Sequence, residues 1–90
     1  MGKRRQKEED PDFERFRARL GKRIAAIRQG RGLTQEDMQG YGFPTRRYQR
    51  IEAGQAITMR TAHRLCKAFR ITMSELVDGT MPKRRSRRST

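Results

Sequence analysis

The chain has no tryptophan, one cysteine and one histidine among its 90 residues. A lone cysteine, Cys66, excludes an intrachain disulfide, and a lone histidine, His63, leaves too few ligands for a zinc site. No apolar run approaches the roughly 18–20 residues of a membrane span. The opening MGKRRQKEEDPD has no apolar core and too many acids for a secretion or transit signal. These absences predict one soluble, intracellular domain at most, in a reducing, cytoplasmic setting.

Catalytic signatures are missing as well. No nucleophile stands at a readable spacing from a base, no glycine-rich loop is shaped for phosphate, and no metal-ligand spacing is present. Glu36 and Asp37 are adjacent carboxylates, but they sit where a helix N-terminus favours negative charge. The expectation is a protein that is not an enzyme and needs no cofactor or metal.

Acids are scarce: 10 against 23 Lys and Arg, a formal charge of +13. The excess is uneven. Residues 1–12 balance, whereas residues 13–78 and the last stretch, residues 79–90, are each basic. Such a charge opposes compaction by self-repulsion, and a polyanion is its natural counterweight.

Hydrophobic spacing divides the chain. Residues 1–12 read as a charged, disordered arm. Phe13, Phe16, Leu20, Ile24 and Ile27 recur at intervals of three and four, which predicts a helix with these residues facing the core; Gly30 and Gly32 end it. Thr34 then caps a short helix from Gln35 to Gln39, with Met38 inward and Asp37 near its positive end. Gly40 and Gly42 bracket Tyr41 in a turn. Pro44 suits the first turn of a third helix that stops at Gly54. Ile57 and Thr58 open a fourth, with Ala62, Leu65, Cys66 and Phe69 as its apolar stripe. Thr72 and Glu75 form a capping box before a last short helix holding Leu76 and Val77. KRRSRRST is a basic tail with nothing to pack. The class is all-α: five helices across residues 13–78, with basic residues 79–90 trailing.

The third helix carries the chemistry. On a wheel of about 100° per residue, Tyr48 and Ile51 share the inner face. Arg46, Gln49, Arg50 and Ala53 lie opposite, with Thr45 at the edge and Arg47 on the flank toward phosphate. Arg can grip guanine and Gln adenine with two hydrogen bonds each, and small residues permit close approach. A solvated basic face would carry similar residues. Its place after a capped helix and a tight turn favours insertion into the major groove of double-stranded DNA. Glu52 lies beside the inner face, where a lone carboxylate is costly to desolvate, and Arg28 on the first helix is the candidate cation.

From Leu20 to Val77, the pieces GKRIAAIRQGRGLTQED, YQRIEAG and ITMSELV resemble the Xre/Cro/cI-type helix-turn-helix proteins. That resemblance implies a lambda-repressor-like five-helix domain, dimeric on a two-fold symmetric operator. It implies base reading by Thr45, Arg46, Gln49 and Arg50, backbone contacts from Gln35 with Thr34 and Arg47, and a structural Arg28–Glu52 pair. Dimerisation through the last helix is the family-level expectation. Between Gln35 and Glu52 the chain is one residue shorter than the common pattern, so the second helix should end early. A transcriptional repressor is the leading function. The alternative is an antitoxin-type protein that uses the same domain and engages a protein partner, since fold cannot choose between them. A binder driven by charge alone ranks third; too few aromatics interleave the basic residues to stack single-stranded RNA. The tail reads as a phosphate-gripping arm. No ligand-sensing domain is expected after Asp78.

Overall fold

Asp10 starts the first helix. Its carboxylate accepts a hydrogen bond from the Phe13 amide at 3.2 Å, and Pro11 takes the first helical position, where no amide is needed. The structure is a computed structural model that describes residues 10–81. Among these residues there are five helical elements and no strand: α1 (Pro11–Gly30), a 3-10 helix (Glu36–Tyr41), α2 (Thr45–Glu52), α3 (Met59–Phe69) and α4 (Met73–Leu76). The all-α class and the five-helix order read from the sequence hold. Residues 1–9 of the charged arm and residues 82–90 of the basic tail lie outside the described residues.

Leu20 and Ile24 of α1, Met38 of the 3-10 helix, Tyr48 and Ile51 of α2, Ala62, Leu65, Cys66 and Phe69 of α3, and Leu76 of α4 build one core. Phe43, in the turn before α2, completes it. Its ring meets Tyr48 edge-on, with centroids 6.0 Å apart, a favoured aromatic geometry. Phe43 carries no periodic signal because it belongs to no helix, and the sequence reading passed over it.

Several boundaries move. Asp10, Pro11 and Asp12 begin α1 and do not belong to an arm. Phe13, expected in the core, is 47% exposed, because α1 runs past the elements that would cover its first turns. Pro44 stands just outside α2, and Ile57 and Thr58 precede α3, with Thr58 as its cap. Val77 lies beyond α4. Thr80, placed in the tail by composition, is buried: its hydroxyl donates to the Val77 carbonyl at 2.6 Å. The Thr72–Glu75 capping box is present in full.

The second helix departs most. It is wound as a 3-10 helix, and its entry is fixed by a reciprocal pair: the Asp37 amide donates to Thr34 Oγ1 at 3.0 Å, and the Thr34 amide donates to Asp37 Oδ2 at 2.8 Å. At a rise of about 2.0 Å per residue, six residues cover about the 12 Å that eight would cover in an α-helix. The helix begins at Glu36 and runs to Tyr41, so it does not end early at Gln39, and Gly40 and Tyr41 lie inside it with Gly42 alone ending it.

Gly21 decides how α1 meets α2. A Cβ there would collide with the Glu52 backbone carbonyl, whereas Gly54 is required for its φ of +100°, a Cβ on it meeting Ala18 only at ordinary contact distance. Glycine costs up to about 1 kcal/mol in a helix interior relative to alanine. Here it lets the backbone of α1 touch the end of α2.

Candidate nucleic-acid interface

Helix α2 divides as its sequence predicts. Tyr48 and Ile51 are buried; Arg46, Arg47, Gln49 and Arg50 are exposed, and Thr45 is half-buried. Among the described residues none of the three arginines pairs with a carboxylate, so each is free for an incoming anion or base edge. Pro44 supplies no side-chain cap, which leaves the positive end of α2 without a compensating oxygen.

A chain of hydrogen bonds ties this face to the frame. Arg28 grips Glu52 fork to fork, Nε to Oε2 at 2.7 Å and Nη2 to Oε1 at 3.2 Å, while its Nη1 donates to the Leu33 carbonyl at 2.7 Å. Gln35 donates from Nε2 to Glu52 Oε1 at 2.9 Å, and Gln49 donates from Nε2 to Gln35 Oε1 at 3.3 Å. Gln49 retains its own carbonyl oxygen and a second amide hydrogen, the pair needed for an adenine edge. Gln35 retains one amide hydrogen, enough for one phosphate oxygen. At the other end of α2, Gln39 donates from Nε2 to the Thr45 hydroxyl and fixes its orientation.

Electrostatics supports a fixed geometry. Burial pushes the Glu52 carboxyl up, but the hydrogen bonds from Arg28, with Tyr48 and Gln35 beside it, outweigh burial and hold it below the usual carboxylate range. The hydrogen bond to Glu52 raises Arg28 further above its ordinary value. Burial, and then Glu52, hold the Tyr48 phenol far above its ordinary range. That hydroxyl lies near Glu52 but meets no hydrogen-bond partner among the described residues, and its burial favours the neutral phenol. A buried ion pair is weak evidence for net stability and better suited to fixing register.

Two contributors escaped the sequence reading. Arg64 of α3 donates from Nη2 to the Gly42 carbonyl at 2.8 Å and stacks over the Phe43 ring, 4.8 Å from its centroid. It clamps the turn that aims α2. Gly42 itself is left-handed, at φ +90°, which a residue with a side chain adopts only under strain. The second contributor is Gly21, which sets the depth of α1 against α2. An isolated glycine inside a helical pattern was the available signal; nothing local marked Arg64.

His63 is exposed, and burial raises the Cys66 thiol, with Glu75 adding to it. Among the described residues no helix is long and apolar enough to cross a membrane, and no cluster of His, Cys, Asp and Glu could hold a metal ion.

A family model described as helix-turn-helix matches residues 24–76, from the middle of α1 to the end of α4. No curated protein and no solved structure matches the chain. The matched span contains the 3-10 helix, the Gly42 turn and α2 with its exposed arginines, and this chain belongs to the Xre/Cro/cI-type helix-turn-helix family of DNA-binding transcription regulators.

Proposed function

We propose that this chain is a sequence-specific repressor that binds double-stranded DNA as a homodimer on a two-fold symmetric operator, associated with the nucleoid in the cytoplasm. The observation that carries the reading is the relay Arg28–Glu52–Gln35–Gln49, which anchors one base-reading side chain to the core. A face meant only for charge has no use for such an anchor. Arg46 and Arg50 read guanine, Gln49 reads adenine, and Thr45 allows close approach. Gln35, Thr34 and Arg47 hold the backbone. Each dimer spans half-sites about one helical turn apart. Repression follows from occupancy, since a bound dimer excludes other proteins from the same stretch of groove.

Selection from random duplex DNA, at low and near-physiological salt, tests the reading. A single symmetric motif that survives the higher salt is the expected result. Binding that selects no motif and collapses with salt would reduce α2 to a phosphate grip and turn attention to a protein partner.

A further inference from the structure

The first half of α1 is not explained by the family. The match begins at Ile24, whereas α1 begins at Pro11. Those extra turns carry the exposed Phe13, stacked on the half-buried Phe16 with centroids 6.2 Å apart. Met81, 65% exposed, follows Thr80, whose carbonyl accepts a 3.5 Å hydrogen bond from Arg19 Nη1, so it lies beside the same flank of α1. By contrast α4 offers no anchor of this kind: Leu76 is fully buried, and none of the exposed large apolar side chains lies on α4.

Charge along these turns is ordered. Asp10, Asp12 and Glu14 come first, and Arg15, Arg17 and Arg19 follow. At about 100° per residue, Phe13 and Phe16 form a ridge, with Asp12 and Arg19 about 70–90° to one side, Arg17 about 70° to the other, and Glu14 further round on the side of Arg17. Two antiparallel copies of such a helix bring like flanks together. Asp12 then opposes Arg19, and Glu14 opposes Arg17. Both pairings require the same centre, between residues 15 and 16, next to Phe16. An isologous contact demands this self-complementarity.

We propose that the first turns of α1 form the homodimer interface, two copies packing antiparallel about a two-fold axis between residues 15 and 16, with Phe16 at the centre and Asp12–Arg19 and Glu14–Arg17 pairs on either side. The proposal rests on the dimeric reading above and names its contact surface. Arg17 is suited to this role. Its guanidinium stands over the Phe13 ring at 5.4 Å, and its Nε is buried without a hydrogen-bond partner among the described residues. The Asp12–Arg15 ion pair within one copy, at 2.7 Å, is exposed on both sides and holds Asp12 only weakly. Two aromatics and a methionine per copy make a contact smaller than the roughly 800 Å² per partner of a standard interface. The dimer is therefore weak in solution and is completed on DNA, where two half-sites add their binding.

Charge reversal in the full chain tests this. One variant carries Asp12→Arg with Glu14→Arg; the other carries Arg17→Glu with Arg19→Glu. By sedimentation equilibrium each alone should dimerise at least about tenfold more weakly than the parent, and an equimolar mixture should recover a heterodimer, because opposite charges then face each other at all four positions. A monomeric parent, variants that still self-associate like the parent, or a mixture that stays monomeric would overturn the interface. A second measurement covers any variant that fails to fold: Asp12→Cys with Arg19→Cys, in a Cys66→Ala chain, under mild oxidation. Seven helical residues separate the two sites by about 10.5 Å, beyond disulfide reach within one copy, so a covalent dimer supports the pairing and its absence opposes it. Binding to a duplex carrying one half-site separates the two readings. Folded monomeric variants that still select it leave the DNA-reading proposal standing, whatever happens to the interface.

Discussion

Arg28 and Glu52 join α1 to the end of α2 through two hydrogen bonds, at 2.7 and 3.2 Å. Glu52 then holds Gln35, and Gln35 holds Gln49. A charge buried for structural reasons thereby reaches a side chain on the exposed face of α2.

Glu52→Ala should destabilise the domain by about 3–5 kcal/mol, since it strands a buried Arg28 charge. Replacing both partners, as Arg28→Met with Glu52→Met, should recover most of that loss. The double variant should still lose discrimination at the base that we propose Gln49 reads. Urea unfolding and a binding-site selection on the two variants check both halves.

Acid should weaken the same link. The folded Glu52 carboxyl lies below its ordinary value of 4.5, so its contribution to stability is fully present above about pH 4.5 and is lost as pH falls through the lower folded value. Glu52→Gln has no such proton to gain. Thermal melts from pH 7 down to pH 3 should show the gap between parent and variant narrowing with acid. A gap that is constant across the range would mean that Glu52 titrates normally.

Gly21→Ala should destabilise the domain by about 1–3 kcal/mol, despite alanine's better helix propensity. The collision is with the backbone carbonyl of Glu52, which cannot swing aside as a side chain would. Gly30→Ala is the control, since nothing stands within 4 Å of the added carbon. Comparison of the two melting temperatures decides the point.

Arg46→Ala and Arg50→Ala should each cost about 1–3 kcal/mol at one base position of the operator. Arg47→Ala should instead weaken binding evenly across sequences and lower the salt slope by about 1. Titrations against the operator and single-base variants, at several salt concentrations, tell these outcomes apart. An even loss for Arg46 or Arg50 would move that residue to the backbone set.

Much of the fold was legible because its signals are local. Apolar spacing along α1 and α3, the Thr34 and Thr72 caps, and the glycines at positive φ each act over a turn or two of chain. The Arg28–Glu52 pair was also within reach, since a carboxylate beside an apolar face needs a cation and Arg28 lies just off the apolar stripe of α1. The family follows from the same residues, and the matching span confirms it.

Tertiary structure decided what depends on where elements end and how deeply they meet. Phe13 has the same spacing as Leu20, yet is exposed because no other element among the described residues covers it. Phe43 and Thr80 lie outside any periodic stretch, yet are buried because neighbouring helices close over them. The 3-10 winding, the Arg64 clamp on Gly42 and the passage of Glu52 through Gln35 to Gln49 join residues far apart in the chain. Periodicity and capping report each helix's own preferences. The orientation of α2 comes from backbone contact at Gly21 and from hydrogen bonds between elements, and those exist only once the helices have packed.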